Sequence, residues 1–181
     1  MPVVARQIVL LRGINLGARN RIGMPQLRDL LTSAGFEDVR TYLQSGNVVL
    51  SGNGSPEQVA RACERQIAGH FGLDIPIVVR TRAQLAKVVQ RNPLGKVAVN
   101  PKRYQVTFMT GTLEAEVVRE LEAAVAPSER LVVAGRELYA WHPEGIARSR
   151  LWTLLAGRGL GVTATARNWT TVTNLLALAD D

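Results

Sequence analysis

The sequence predicts an α+β protein made of two ferredoxin-like halves of the βαββα type. Short runs of strand-forming residues alternate with amphipathic helical patterns, and the order strand, helix, strand, strand, helix occurs in both halves of the chain. This alternation argues against a purely helical or an all-β protein. We expect the first half, with a linking helix, over residues 1–92 and the second half over residues 93–181, in one continuous globular unit.

The first elements follow from apolar periodicity. An apolar run over residues 3–11 is typical of a buried central strand. Apolar residues at three- and four-residue steps from Met24 predict a helix that ends at Gly35. Residues 39–44 alternate and residues 48–50 are apolar, and the glycine-bearing turn between them indicates a β-hairpin.

The next helix has a strong start signal. Ser55 is a natural N-cap, Pro56 suits the first turn, and Gln58 can close a capping box. The helix ends at Gly72, and a strand over residues 75–80 follows, whose proline indicates a strand start or a sheet edge. The later predicted elements are a linking helix from Thr81, a strand over 104–109, a helix that ends at Pro127, a hairpin over 131–133 and 138–141, a helix near 149–156, an extended stretch at 161–165 and a last helix from near Asn168.

The charge balance favours an anionic partner. The chain holds 22 basic and 15 acidic residues, which gives a net charge of +7. Such a surface attracts phosphate, nucleic acid and other anions at long range. The basic residues are scattered along the chain and are not concentrated in a tail, which weakens the case for nucleic acid.

The cysteine content and the apolar runs indicate a compartment. A single cysteine, Cys63, excludes an internal disulfide framework and suits a reducing environment. The N-terminus lacks the apolar core of a signal peptide, and no apolar run approaches the length of a membrane span. We therefore expect a cytoplasmic protein without a membrane partner.

No residue pattern identifies a reaction. His70 lies near the buried face of a predicted helix, where a core histidine with satisfied hydrogen bonds is expected, and His142 precedes Pro143 in a loop. Neither has the spacing of a metal site, so no metal is expected. Cys63 falls in an apolar helical stripe, and no pair of acids is suited to general acid–base catalysis. Catalytic residues, cofactors and the oligomeric state stay open.

The stretch after the first strand is the first candidate binding site. Gly13 and Gly17 permit positive φ and close backbone approach. Charge comes from Arg12, Arg19 and Arg21, and Asn15 and Asn20 offer donors and acceptors. A strand-to-helix junction also exposes backbone N–H groups that favour an anion. The stretch matches neither GxGxxG nor the P-loop pattern, and an ordinary long connection is the alternative interpretation.

The hairpin turn is the second candidate. Ser45, Gly46 and Asn47 stand where a tight turn is required, and glycine and asparagine are the residues that such turns select. Turn chemistry therefore explains the three residues without a ligand, and a ligand contact is the second interpretation.

The third candidate lies near the last helix. Thr165 or Asn168 can cap this helix, and Trp169 is suited to packing on the core. Arg167 stands where a helix N-terminus already carries partial positive charge, so it requires a carboxylate or a bound anion as its partner. Arg150, at the start of the preceding helix, adds a further positive charge.

These three stretches together resemble a known family. Residues 10–17, 42–49 and 165–172 are similar in order and spacing to motifs of the bacterial DUF1697 family. This chain has Ala18 where the family carries a second glycine, and Arg150 where it carries lysine. The resemblance implies an α+β fold with two related ferredoxin-like halves and a shared site at the motif residues. It implies no activity, because the family is named for lacking a known one.

We expect these stretches to form one pocket for an anionic or phosphate-bearing small ligand. Arg12 and Arg167 would clamp the anion, while Asn15 and Asn47 would orient it. One alternative is a module that binds single-stranded nucleic acid through aromatic residues on an open sheet face. The other is a structural protein that self-associates through the edges of its hairpins.

Overall fold

Two four-stranded antiparallel sheets, one in each half of the chain, form the frame of the protein. The computed structural model describes residues 5–181. The spatial orders β2-β3-β1-β4 and β6-β7-β5-β8 are equivalent and confirm an α+β fold with two related halves. The strands are β1 (Ala5–Leu11), β2 (Glu37–Tyr42), β3 (Asn47–Gly52), β4 (Ile77–Thr81), β5 (Tyr104–Met109), β6 (Arg130–Ala134), β7 (Glu137–Trp141) and β8 (Ala164–Asn168).

Each half has the order βαββαβ and is followed by one further helix. The sequence predicts the first strand from residue 3, and residues 3 and 4 lie outside the described part of the chain. The helices are α1 (Met24–Ser33), α2 (Pro56–Phe71), α3 (Arg82–Arg91), α4 (Ala115–Ala123), α5 (Arg150–Ala156) and α6 (Trp169–Asp180).

The central strand β1 determines where the first candidate loop begins. It pairs with β3 on one side, where Leu10 is opposite Asn47, and with β4 on the other. Its residues from Gln7 to Leu11 are buried on both faces. The following loop therefore begins at a fixed point of the sheet. As predicted, β4 lies at the sheet edge and directly follows Pro76.

Helix α2 begins and ends as its sequence predicts. The Ser55 hydroxyl accepts a hydrogen bond from the Gln58 N–H at 3.2 Å, and the Gln58 carboxamide accepts one from the Ser55 N–H at 2.9 Å. These reciprocal bonds form the predicted capping box. Gly72 ends the helix with φ at +67°, a conformation that favours glycine.

Strand β8 corrects the prediction for the second half. We expected only an extended stretch at 161–165, whereas β8 pairs with β5 over its whole length, from Ala164 opposite Met109 to Asn168 opposite Gln105. Small and polar residues dominate β8, so it lacks the apolar and polar alternation that marks a half-buried strand.

The chain divides into two compact units. One contains the chain up to Lys87 together with Leu175–Asp181, and the other contains Val88–Asn174. Each unit has its own apolar cluster. In the first, Leu27 of α1 and Ile67 of α2 belong to a cluster that includes inward-facing residues of the sheet. The second cluster brings together side chains of α4, α5 and the second sheet, including Leu121, Leu151 and Leu138.

One helical side chain differs from expectation. His70 is exposed on α2 and lies edge-on to the Phe71 ring at a centroid distance of 4.8 Å. The buried stripe of α2 runs through Val59, Cys63 and Ile67. Partly buried Phe71 continues that stripe four residues later, so the adjacent His70 points outward and is not a core histidine. Among the helices of residues 5–181, none combines the length and apolarity that a bilayer span requires.

Candidate functional site

The opening loop, residues 12–23, is held in shape by Asn15. The Asn15 carboxamide nitrogen donates to the carbonyl oxygens of Ile22 at 2.8 Å and of Gln44 at 2.7 Å, and its oxygen accepts from the Ile22 N–H at 2.9 Å. The Asn15 N–H also donates to the Asn20 carbonyl at 3.0 Å. Because these bonds occupy the side chain, Asn15 positions the loop and is not a free ligand contact.

The glycines of the candidate site differ in what they do. Gly13 has φ at +71° and Gly46 has φ at +89°, which favours glycine at both positions. A Cβ on Gly46 would lie 2.7 Å from the Cβ of Leu11, so this glycine also allows close packing. Gly17 has no positive φ and open space around it. The expected special conformation is therefore present at Gly13 and not at Gly17.

The hairpin turn, residues 43–46, contacts the opening loop. Besides the bond from Asn15 to Gln44, the N–H of Leu11, the last residue of β1 before the loop, donates to the Gly46 carbonyl at 2.9 Å. Asn47 is fully buried, and its carboxamide nitrogen donates to the Tyr42 carbonyl at 2.9 Å and to the Ser45 hydroxyl at 3.0 Å. Two of the three predicted pieces thus meet in the first unit. We name the opening loop and this turn together the loop–turn surface.

Arginine side chains give the loop–turn surface its charge. Arg12 is half-buried, and its main-chain N–H donates to the Pro76 carbonyl at 2.9 Å. Arg19 and Arg21 are exposed, and within the described residues neither makes a hydrogen bond or a salt bridge. The sequence has no acidic residue over 12–23. The surface therefore presents positive charge without a counter-charge of its own.

The third predicted piece lies in the second unit and supports the fold there. Arg167 lies on β8, is 8% exposed, and donates to the Thr165 hydroxyl at 2.7 Å and to the Ala166 carbonyl at 2.8 Å. Burial lowers the pKa of the Arg167 guanidinium to about 10. Asn168 is the cap of α6, since its side-chain oxygen accepts from the Thr171 N–H at 2.9 Å.

Trp169 and Arg150 have different environments. The Trp169 ring stacks on Tyr104 at a centroid distance of 4.8 Å and an interplanar angle of 19°. This contact gives Trp169 a packing role, as the sequence suggests. Arg150 begins α5 and is exposed, and it makes no hydrogen bond or salt bridge within the part of the chain that the structure describes.

A buried polar cluster in the second unit was not predicted. Glu129 Oε2 lies 2.6 Å from His142 Nδ1 and accepts a hydrogen bond from the Ser149 hydroxyl, also at 2.6 Å. Ser149 in turn accepts from the Trp152 N–H at 3.1 Å and so caps α5. His142 is fully buried, and its Nε2 has no hydrogen-bond partner among the described residues.

The sequence held a signal for this cluster. The hairpin register pairs Arg130 with Trp141, so the next residues outward, Glu129 and His142, must be neighbours. Extending the predicted hairpin by one pair would have brought the acid and the histidine together. Ser149 joins them because it caps α5, and α5 follows the loop that begins at His142.

The cluster is arranged for structure and not for nucleophilic attack. Ser149 gives its single hydrogen to Glu129, whereas an activated serine gives it to a general base that a third group orients. Burial alone would raise the pKa of the Glu129 carboxyl, but the hydrogen bonds from Ser149 and His142 outweigh it and hold that pKa below its ordinary value. Glu129 is therefore a fixed negative charge at neutral pH.

Metal and thiol chemistry have no support in the described residues. No group of three or more histidine, cysteine, aspartate or glutamate side chains there could hold a metal ion. Burial, with a smaller contribution from the Glu64 carboxylate, raises the pKa of the Cys63 thiol to about 12. At neutral pH this thiol is protonated and packs as a small core residue.

Comparisons with known proteins agree with the fold. A solved structure described as the conserved bacterial protein SP0830 from Streptococcus pneumoniae is similar, with a TM-score of 0.78 and 23% sequence identity. The similarity covers 97% of this chain and 99% of that one, and seven solved chains match in all. Curated proteins give no match.

The family comparison covers most of the chain. The family model described as "Protein of unknown function (DUF1697)" matches residues 4–139. This range contains the opening loop and the hairpin turn, whereas the motif around Arg167 lies beyond it. The chain belongs to the DUF1697 family of proteins of unknown function.

Proposed function

We propose that the protein binds a small anionic ligand, one that bears a phosphate or a comparable oxyanion, at the loop–turn surface. The observation that carries the proposal is the pair Arg19 and Arg21, exposed and unpaired within the described residues, on a loop whose backbone Asn15 fixes. Guanidinium groups bind phosphate and carboxylate through paired charge-assisted hydrogen bonds.

The start of α1 supports the same ligand. Gly23 is the N-cap and supplies no side-chain hydrogen bond, and the first turn contains no acidic residue. Pro25 in the first turn has no N–H, so the N–H groups of Met24 and Gln26 and the positive end of the helix dipole favour an anion near this point. Arg21 is only two residues from Gly23 in the chain, so both features lie at the same end of the loop.

Asn15 and Asn47 have a different role from the one we expected. Both were expected to orient the ligand, but the Asn15 carboxamide bonds to the backbone of the opening loop and of the hairpin turn, and the Asn47 carboxamide bonds to Tyr42 and Ser45. In this proposal they hold the loop–turn surface rigid, which lowers the entropic cost of binding. Thr165, Arg167 and Asn168 have contacts that serve the second unit, and the proposal does not depend on them.

Single-stranded nucleic acid stays as the alternative ligand. The mode that uses aromatic residues on an open sheet face requires an exposed face, yet the central strands β1 and β5 are buried on both faces from Gln7 to Leu11 and from Tyr104 to Met109. A nucleic acid would therefore be bound by exposed arginines such as those of the loop–turn surface, and its binding would depend strongly on salt.

Calorimetric titration of the full chain tests the proposal. The probes are inorganic phosphate, a mononucleotide and a single-stranded oligonucleotide, each at low and high salt. The variants are Arg19→Gln with Arg21→Gln, and Arg65→Gln on α2 as a control that removes an exposed arginine elsewhere in the same unit.

Hydrogen bonds to charged groups contribute about 1.5–3 kcal/mol each, so loss of both arginines should weaken phosphate binding at least about tenfold. The control should bind as the natural chain does. Undetectable phosphate and mononucleotide binding, or binding that the double substitution leaves intact, would overturn the proposal. Binding of the oligonucleotide alone, with a steep salt dependence, would establish the alternative.

A further inference from the structure

A cavity in the second unit has the features of a separate binding site. It has a volume of about 450 Å³ and lies between the segment after α4 and the segment before α5. Small-molecule sites have volumes of about 300–1,000 Å³, so this one is large enough for a metabolite. Its polar lining consists of Ser128, Glu129, Glu144, Arg148, Ser149 and Arg150, and the rest of its wall is alanine and glycine.

The cavity carries two arginines that the fold does not use. Arg148 and Arg150 are both exposed, and neither forms a hydrogen bond or a salt bridge with another described residue. Glu144 lines the same cavity and is also exposed, but it pairs with neither arginine. The two guanidinium groups are therefore available to an anionic group of a ligand.

A buried negative charge lies in the wall of the same cavity. Glu129 is only 6% exposed, and its Oε2 atom is occupied by Ser149 and His142. Among the described residues its Oε1 atom accepts only the Ala126 N–H, at 3.1 Å, and so retains acceptor capacity. Because hydrogen bonds hold Glu129 ionised, the cavity combines a fixed acceptor with a cationic rim.

We propose that this cavity binds a small molecule with an anionic group and a neighbouring hydrogen-bond donor. The anionic group contacts Arg148 and Arg150, and the donor, an ammonium or a hydroxyl group, bonds to the Glu129 carboxylate. The proposal uses only residues of the second unit and is independent of the loop–turn surface. Since Ser149 gives its hydrogen to Glu129, the site binds its ligand without forming a covalent bond to it.

A series of three probes of similar size tests the donor requirement. Alanine carries a carboxylate and an ammonium group, lactate carries a carboxylate and a hydroxyl group, and propionate carries the carboxylate alone. We expect alanine or lactate to bind at least about tenfold more tightly than propionate, since one hydrogen bond to a charged group accounts for that factor. Whichever of alanine and lactate binds more tightly identifies the donor as an ammonium or a hydroxyl group. Glycerol phosphate and propyl phosphate make the same comparison for a phosphate group.

Amide chemical shifts of the full chain provide the readout. Binding should shift the Gly145, Ser149 and Arg150 amides, and Arg148→Gln with Arg150→Gln should weaken it at least about tenfold. Arg119→Gln, an exposed arginine of α4 outside the cavity, should have no effect. Arg19→Gln with Arg21→Gln should also leave this binding unchanged, which separates the two sites.

Three results would overturn the inference. They are the absence of saturable shifts with every probe, equal affinity for propionate and the donor-bearing probes, and binding that survives loss of both cavity arginines. Glu129→Gln gives a second test, because it should abolish the preference for a donor while the anion still binds. Circular dichroism checks that this buried substitution leaves the fold intact.

Discussion

The carboxamide of Asn15 donates a 2.7 Å hydrogen bond to the main-chain carbonyl of Gln44 and so joins the opening loop to the hairpin turn. The two segments are 29 residues apart in the chain. With its two bonds to Ile22, Asn15 fixes the backbone on which Arg19 and Arg21 are exposed. The proposed ligand site therefore depends on a residue that need not touch the ligand.

Replacement of Asn15 tests this positioning role. Asn15→Ala removes three side-chain hydrogen bonds, each of which contributes about 0.5–1.5 kcal/mol, so we expect a loss of about 2–3 kcal/mol in the free energy of unfolding. Asn20→Ala is a matched control, because φ is +55° at Asn15 and +53° at Asn20, yet the Asn20 side chain makes one long bond of 3.4 Å. Denaturant unfolding measures both, and equal losses would contradict the role of Asn15.

Gly46 and Gly17 form a second matched pair. Gly46→Ala places a Cβ at φ +89° and 2.7 Å from the Leu11 Cβ, so we expect a loss of about 2–4 kcal/mol. Gly17→Ala meets open space without a positive φ and should change stability by less than about 0.5 kcal/mol. Thermal unfolding followed by circular dichroism compares them. A tolerant Gly46 would mean that the turn does not pack as closely as described.

Local sequence signals predicted most of the fold. The capping box at Ser55, the glycine at position 72 and the two hairpins are local features with local physical causes, and each is present in the structure. Strand β8 was missed because small and polar residues gave no periodic pattern. His70 was misplaced because a helical stripe allows two adjacent positions, and Phe71 occupies the buried one.

The candidate site was predictable in composition but not in contacts. The sequence indicates that Asn15 and Asn47 offer donors and acceptors, but only the fold shows that main-chain carbonyl groups of Ile22, Gln44 and Tyr42 accept from them. The sequence indicates that Arg167 needs a partner. In the structure its guanidinium donates to the Thr165 hydroxyl and to the Ala166 carbonyl, both on the same strand. The contact between Glu129 and His142 follows from the register of the β6–β7 hairpin. Extending the predicted hairpin by one residue pair would have revealed it.

The buried Glu129 predicts a specific acid sensitivity. A carboxyl whose pKa is lower in the folded chain than in the unfolded chain stabilises the fold above its unfolded pKa, and this contribution is lost as pH falls through the folded value. Below about pH 4.3, the ordinary value for glutamate, the natural chain should therefore lose stability more steeply than Glu129→Gln. At pH 7 the variant should be about 1–3 kcal/mol less stable, because its hydrogen bonds lose a charged acceptor. Parallel pH dependences of the two chains, measured by urea unfolding, would contradict this account.

The stack of Trp169 on Tyr104 predicts an energetic coupling. Aromatic pairs at such distances contribute about 0.5–1.5 kcal/mol beyond the area that they bury. A double-mutant cycle with Trp169→Leu and Tyr104→Leu should give a coupling energy in that range. Neither substitution should alter phosphate affinity at the loop–turn surface. Strictly additive losses would show that the two rings pack independently.

The central claim is that an anion binds where Arg19 and Arg21 stand on the loop fixed by Asn15, and a phosphate titration followed through backbone amide shifts tests it most directly. We predict saturable shifts in residues 13–23 and 43–46, lost when both arginines become glutamine and retained in Arg65→Gln. Saturable shifts that survive the double substitution, or no shift in these two segments, would contradict the account.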